Sequence, residues 1–163
     1  MGSRGYDLVW GTLLRTTTVL HRILDRASGG RLGRRFPGGQ QVVWITTLGR
    51  KSGEWRRTPL LAVREDGDPA KPWVVTGSNA GQSAVPGWVF NARAHAFGTL
   101  EVDGVTSEVR FEEVLGEERA RLYAQLAEKW AAYAMYERHA GREIPVFRIL
   151  PRTDTGEDGS RMP

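Results

Sequence analysis

Short β-like runs separated by glycine-containing turns occupy the middle of the chain and constrain its fold most strongly. Apolar and β-branched residues dominate five of these runs, at 41–47, 57–63, 72–77, 99–102 and 108–115. The last two flank Asp103-Gly104, and Asp-Gly between such runs is a strong hairpin signal. A helical stretch then precedes a further run at 143–150. Strands spaced in this way close most simply into a small antiparallel barrel with packed helices, which predicts an α+β fold.

The length and the cysteine count limit what else the chain can be. A chain of 163 residues buries about two-thirds of its unfolded surface as one domain and needs no disulfide. The absence of cysteine excludes thiol catalysis and cysteine-based zinc sites. Three histidines, at 21, 95 and 139, lack the spacing of metal ligands, so we predict no metal site. We divide the chain into an N-terminal segment (1–40), a barrel domain (41–151) and a flexible tail (152–163).

The N-terminal segment predicts an amphipathic helix over residues 6–27, followed by a basic, glycine-rich connector. One helical face carries Val9, Trp10, Leu13, Leu20 and Leu24. The opposite stripe carries Arg4, Arg15, Arg22 and Arg26. We expect the apolar face to pack on its own domain, and peripheral contact with the anionic inner face of the cell membrane is the alternative. Without an 18-residue apolar run or a signal-peptide core, a cytoplasmic location is expected.

Positive charge is concentrated in the first third of the chain. Residues 1–57 carry eleven Arg or Lys side chains against three acids, whereas residues 58–163 carry twelve against sixteen. Such a field attracts nucleic acid, an anionic membrane or a polyanionic small molecule alike. A nucleic-acid surface interleaves aromatic residues with its cations, and only Trp44 and Trp55 do so here. We therefore expect no nucleic-acid partner.

The turn between the first two runs is the strongest candidate for an anion-binding site. It reads Gly49-Arg50-Lys51-Ser52-Gly53 and is followed by Arg56. Glycines permit positive φ and close backbone approach, so N–H groups, a hydroxyl and cationic side chains can converge on one phosphate or carboxylate. The alternative is an ordinary turn whose basic side chains are solvated.

A second candidate region follows the third run. It begins with the small residues Gly77, Ser78, Asn79 and Ala80, and a short helix carrying Trp88 and Asn91 begins near Pro86. Small residues at a strand end leave backbone polar groups accessible, as a planar heterocycle with a carbonyl and ring nitrogens requires. Trp88 either forms one wall of that site or packs in the core.

A third candidate region lies on the helix predicted to begin near Gly116. Four residues recur on one face at three- and four-residue spacing, namely Leu122, Leu126, Trp130 and Tyr133, and Tyr136 continues that line. The leucines are core residues. Tyrosines carry a polar tip that reaches into a cavity and donates a hydrogen bond or a proton, although an aromatic core is the simpler interpretation.

Together these segments resemble the deazaflavin-dependent nitroreductase family, the F420-dependent quinone and nitro-compound reductases of actinobacteria. Its members share a split β-barrel related to FMN-binding oxidases. The resemblance covers residues 40–151 and depends on the segments at 46–53, 56–60, 77–79, 86–91, 133–136 and 143–147.

The resemblance implies a cofactor, a set of site residues and a reaction. The phosphate and oligoglutamate tail of coenzyme F420 would be held by Arg50, Lys51, Ser52 and Arg56. Pro59 would lie beside the ring or the ribityl chain. The deazaflavin ring would lie against Gly77, Ser78, Asn79, Ala80, Trp88 and Asn91. Ser78, Tyr133 and Tyr136 would act on the substrate side, where a hydride passes from F420H2 to a quinone, a nitro-aromatic or another electrophilic acceptor.

Two other functions of the same fold remain open at this point. A non-catalytic F420 carrier would keep the tail site and lack an acceptor pocket. An FMN-binding split-barrel oxidoreductase is less expected, because FMN has no glutamate tail to justify so basic a turn. The sequence leaves open whether the protein is a monomer or a dimer.

Overall fold

The computed structural model describes residues 41–153 and shows a closed antiparallel barrel. Its strands are β1 (Gln41–Leu48), β2 (Trp55–Arg64), β3 (Trp73–Thr76), β4 (Phe97–Val102), β5 (Val105–Val114) and β6 (Val146–Pro151). Their order around the barrel is β1-β2-β3-β6-β5-β4, and β4 pairs with β1 to close it. The predicted α+β barrel is confirmed. The predicted helix at 6–27, the connector after it and the tail beyond 153 lie outside the described residues.

Three α-helices join the strands at one end of the barrel, and they are α1 (Gly87–Ala94), α2 (Gly116–Lys129) and α3 (Tyr133–Ala140). Short 3₁₀ turns lie at Glu65–Gly67 and Asn79–Gly81. The hairpin predicted at Asp103-Gly104 joins β4 to β5, and both of its residues have positive φ. No helix in the part of the chain described here is long and apolar enough to cross a membrane.

Alternating residues along the strands divide the protein into two hydrophobic layers. Val75 and Phe147 point into the barrel, where α1 contributes Trp88 and Val89. Their neighbours Val74 and Val146 point outward and are covered by α2 and α3. This period of two lets a single strand serve both layers, which explains why β3 and β6 are almost entirely apolar.

An ion-pair network joins α2 to the segment after β2 and to β6. Glu65, which follows β2, accepts a bidentate pair of hydrogen bonds from Arg148 of β6, at 2.7 Å each. Arg121 of α2 also donates to Glu65 at 2.7 Å, and Glu118 contacts Arg148. Arg148 holds the pKa of the buried Glu65 carboxyl below its usual value, although burial opposes the shift.

The expectation of one helix running from Gly116 through the aromatic line is wrong. Helix α2 ends at Lys129, Trp130 adopts an extended conformation, and α3 begins at Tyr133. The Tyr133 N–H donates to the Trp130 carbonyl across this turn at 2.9 Å. Both Trp130, in the break, and Tyr133, at the start of α3, are buried in the outer layer.

Candidate functional site

The basic turn, residues 49–53, is shaped by its two glycines. The Gly49 N–H donates to the Glu54 carbonyl at 2.9 Å, and the Gly53 N–H donates to the Gly49 carbonyl at 2.7 Å. Gly53 has a φ of 67°, and a Cβ at Gly49 would lie 2.6 Å from the Ser52 hydroxyl oxygen. The turn therefore favours glycine at position 53 for its conformation, and a side chain at position 49 would require Ser52 to move.

The cations of the basic turn differ in how firmly they are held. Lys51 is exposed and has no ion pair within residues 41–153. The Arg50 guanidinium lies over the Phe90 ring, 4.6 Å from its centroid. Arg56 pairs with Glu54 at 2.6 Å and contacts the Ser52 hydroxyl at 3.5 Å. Arg50 and Lys51 are thus available to an anion, whereas the charge of Arg56 is shared with a neighbouring acid.

Helix α1 holds the basic turn in place through Phe90 and Asn91. The buried Asn91 side chain accepts a hydrogen bond from the Arg50 N–H at 3.2 Å and donates to the Thr47 hydroxyl at 3.3 Å. The structure therefore brings Asn91 to the basic turn. The sequence predicted Asn91 at the ring segment and gave no prediction for Phe90, its neighbour on the same helix.

Pro59 lies on the open half of β2, residues 55–61. This half pairs with β1, but β3 pairs only with Ala62, Val63 and Arg64. Proline breaks no ladder bond on an unpaired side, which suits it to this position. At about 3.3 Å per residue, the open half extends roughly 20 Å from the basic turn. Its last residue, Leu61, packs against the outer layer, as Tyr136 also does.

A cluster of hydroxyl groups lies at the end of β3. The buried Thr76 hydroxyl donates to the Tyr133 hydroxyl at 3.3 Å, and Ser78 lies close enough to influence the pKa of Tyr133. Burial raises the pKa of Tyr133, and the hydrogen bonds with Thr76 and Ser78 lower it by less. The phenol is therefore neutral near pH 7, and because it accepts the hydrogen bond from Thr76, its own proton can be donated to another group. Thr76 was not among the residues predicted from the sequence. The available signal was its spacing of two residues from Ser78, which places both side chains on the same side of an extended strand.

The predicted substrate-side tyrosines lie in one aromatic row. The Tyr133 ring centroid is 5.5 Å from that of Trp130 and 5.0 Å from that of Tyr136. Tyr123 of α2 donates its hydroxyl to the Tyr133 carbonyl at 2.8 Å. The structure thus brings Ser78, Tyr133 and Tyr136 together, and it separates all three from the basic turn by the open half of β2.

The strand-end loop, residues 77–84, presents backbone groups beside the hydroxyl cluster. Gly77 is closely packed, because a Cβ there would lie 2.6 Å from the Val89 side chain. Asn79 and Ala80 both have positive φ, at 48° and 50°. The N–H groups of Ser78 and Asn79 have no acceptor in the described part of the chain, so they can donate to a ligand.

Trp88 lies inside the barrel. Its indole packs edge-on against Phe147, with centroids 5.2 Å apart, and only 5% of the residue is exposed. These contacts agree with the second alternative from the sequence, in which Trp88 packs in the core. Within residues 41–153, no group of three or more His, Asp or Glu side chains converges as metal ligands would.

Comparison with known proteins identifies the family. A family model described as F420H(2)-dependent quinone reductase matches residues 15–151. The chain belongs to this family. An F420H(2)-dependent quinone reductase of Mycobacterium tuberculosis is 31% identical over 138 residues, covering 82% of this chain and 89% of the relative. F420H2 is therefore the cofactor of this protein, and its chemistry is oxidoreduction.

Two solved structures are similar in fold. One is an F420-H2 dependent reductase, FDR-A, at 29% identity with a TM-score of 0.58, covering 66% of this chain and 92% of that one. The other is described as a domain-swapped dimer and has 28% identity and a TM-score of 0.61. It covers 85% of this chain and 98% of its own.

The arrangement of donors in this chain fits an elongated, anionic cofactor that carries a ring. Cationic side chains lie at the basic turn, and the strand-end loop has N–H groups without an acceptor in residues 41–153. The open half of β2 joins these two ends over roughly 20 Å. A compact anion would need only the first end, and an uncharged ring only the second.

Proposed function

We propose that this oxidoreductase passes a hydride from F420H2 to a quinone. The observation that carries the proposal is the buried Tyr133 hydroxyl, which contacts the Thr76 hydroxyl with Ser78 nearby, at one end of the open half of β2. The basic turn lies at the other end. The family's description as a quinone reductase supports this class of acceptor.

The basic turn binds the phosphate and the acidic tail in this proposal. Arg50 and Lys51 provide charge that no acid of the described residues neutralises, while Ser52 and Arg56 add a hydroxyl and a guanidinium. Charge-assisted hydrogen bonds contribute about 1.5 to 3 kcal/mol each where water is partly excluded. Because these side chains are exposed, solvent screening places the turn at the lower end of that range.

The strand-end loop and the hydroxyl cluster bind the ring and the acceptor. Pro59 lies beside the ring or its side chain, and Ser78, Asn79 and Ala80 contact the ring through backbone groups. When bound, F420H2 supplies the hydride. Tyr133 and Ser78 donate hydrogen bonds where negative charge develops on an acceptor oxygen, and Tyr136 closes one side against water. The raised pKa of Tyr133 keeps its proton in place for that purpose.

The experiment that tests this proposal measures binding and turnover separately. Purified protein is titrated with F420 by fluorescence, and F420H2 oxidation is then followed with menadione and with a nitro-aromatic compound. We expect micromolar affinity or tighter, and faster turnover with menadione. Binding without turnover of either acceptor would make the protein a carrier. Faster turnover of the nitro-aromatic would overturn the choice of a quinone.

A further inference from the structure

Arg142, in the loop between α3 and β6, makes an unusual set of contacts with the strand-end loop. Within the described residues, its guanidinium donates only to backbone carbonyl groups, and four of these five groups belong to residues 77–84. These are Gly77 at 3.1 Å, Gln82 at 3.3 Å, Ser83 at 3.0 Å and Ala84 at 3.2 Å. The fifth is the carbonyl of the adjacent Glu143 at 3.3 Å.

The absence of an acidic partner distinguishes Arg142 from Arg119 and Arg148. Arg119 contacts Glu137, and Arg148 pairs with Glu65. Arg142 is half-buried and has no ion pair anywhere in residues 41–153. Burial lowers its pKa, but a guanidinium remains charged near neutral pH. Its charge is therefore stabilised by the carbonyl dipoles of the strand-end loop, so its position and the shape of that loop depend on each other.

The strand-end loop has a conformation that requires external support. Asn79 and Ala80 occupy the left-handed region, which residues other than glycine seldom adopt. Inside the loop, the Gly81 N–H donates to the Ser78 carbonyl at 2.9 Å and the Gln82 N–H donates to the Asn79 carbonyl at 3.1 Å. This conformation leaves the Ser78 and Asn79 N–H groups without acceptors in the described chain.

We infer that Arg142 is a positioning residue for the ring end of the site. Its planar guanidinium holds both ends of the strand-end loop at once, so that the Ser78 and Asn79 N–H groups stay directed to the ligand. This inference rests on the proposed function, which places the ring at that loop. It assigns Arg142 a role in ring binding and none in binding the acidic tail.

The test compares Arg142→Met and Arg142→Lys with wild type in the full chain. Arg138→Met is the matched control, because Arg138 lies on α3, is exposed and has no ion pair within the described residues. Circular dichroism first establishes a temperature at which every variant is folded. Binding is then measured for F420 and for the deazaflavin chromophore that lacks the phosphate and glutamates. Hydrogen exchange of the Gly81 and Gln82 amides, measured by NMR without ligand, reports on the loop.

We expect Arg142→Met to weaken binding of both ligands by the same factor, about 10-fold, and to accelerate exchange of both amides by at least about 10-fold. Arg142→Lys should restore both properties only in part. One ammonium can replace the Nη2 atom that contacts Gly77, Gln82 and Ala84, but it cannot also replace the Nε donor to Ser83. Arg138→Met should match wild type. Unchanged exchange or unchanged chromophore binding in folded Arg142→Met would overturn the inference.

Failure of the proposed function would look different in the same experiment. If the wild-type protein bound neither F420 nor its chromophore, the proposed ring site itself would be contradicted, whatever the Arg142 variants did. The exchange of Gly81 and Gln82 would then decide alone whether Arg142 holds the loop. A loss confined to F420, with the chromophore bound normally, would move Arg142 to the tail site and overturn the inference.

Discussion

The two ends of the proposed site are built in opposite ways. At the basic turn, Arg50, Lys51 and Arg56 are exposed, and Arg56 is already paired with Glu54. At the other end, the Tyr133 hydroxyl is buried and accepts a hydrogen bond from the Thr76 hydroxyl at 3.3 Å. One end therefore acts through screened charge, and the other through short contacts in a dry environment.

This difference separates affinity from chemistry. Exposed charges tolerate changes in geometry and attract an acidic tail of any length, but salt weakens them. Buried hydroxyl groups have fixed geometry, so they can favour one distribution of charge on an acceptor. Substitutions at the basic turn should change binding, and substitutions at the buried end should change turnover.

The largest effect is expected for Tyr133→Phe, which removes one hydroxyl and keeps the ring in its aromatic row. We expect kcat to fall by about 100-fold, within the range found for loss of a positioned proton donor, with F420 affinity unchanged. Stopped-flow and steady-state assays with F420H2 and menadione provide the measurement.

Tyr123→Phe is the matched control for that substitution. It also deletes a buried hydroxyl from the outer layer, where that group donates to the Tyr133 carbonyl. It should lower the free energy of unfolding by about 1 kcal/mol and leave kcat within a small factor of wild type. Equal losses of kcat in the two variants would mean that packing, and not the Tyr133 hydroxyl, supports turnover.

The second prediction contrasts a buried ion pair with an exposed one. Glu65→Gln should lower the free energy of unfolding by about 2 kcal/mol, because Arg148 loses a charge-assisted bidentate partner. Glu54→Gln, in the exposed pair of the basic turn, should cost less than about 0.5 kcal/mol. Urea unfolding at pH 7 compares the two variants.

The direction of the Glu65 pKa shift determines how the stabilisation from the Glu65–Arg148 pair depends on pH. Arg148 depresses the pKa of Glu65 in the folded state, so the carboxylate stabilises the fold above its unfolded pKa. That contribution is lost as the pH falls through the depressed folded value. Wild type should therefore lose more stability than Glu65→Gln on acidification from pH 7. Parallel losses in the two proteins would show that this pair has no part in acid unfolding.

The sequence predicted the barrel and the basic turn because both depend on local signals. Alternating apolar residues and the glycines at 49 and 53 act within a few residues of chain. It did not predict the break before Tyr133, since burial of Trp130 in the outer layer decides where that helix ends. Thr76, Phe90 and Arg142 were missed because their partners lie 40 to 65 residues away in the chain.

The third prediction concerns the charge of the basic turn. The double variant Arg50→Ala, Lys51→Ala should bind long-tailed F420 about 10-fold more weakly at low salt, and its affinity should depend less on salt. Binding of the chromophore without the tail should stay unchanged. Lys71→Ala, at the opposite end of the barrel, is the control. An equal loss for the chromophore would place the ring, and not the tail, at the basic turn.

The smallest effect is expected from the acid of the basic turn. Glu54 lies 2.6 Å from Arg56, so an incoming phosphate or carboxylate must compete with it. Glu54→Gln should therefore tighten binding of long-tailed F420 by about twofold, because both side chains are exposed and water screens their attraction. Titrations at two salt concentrations should show a gain that shrinks as salt rises.

Glu112→Gln provides a close match for that last substitution. Glu112 pairs with Arg110 at 2.9 Å two residues away on β5, as Glu54 does with Arg56. The overall change in net charge is the same, so any general attraction for an anionic cofactor is equal in the two variants. A gain confined to Glu54→Gln would locate the tail at Arg56. Equal gains in affinity for the two variants would mean that the basic turn attracts the cofactor only through the net charge of the protein. The contrast between the two ends would then depend on the buried end alone.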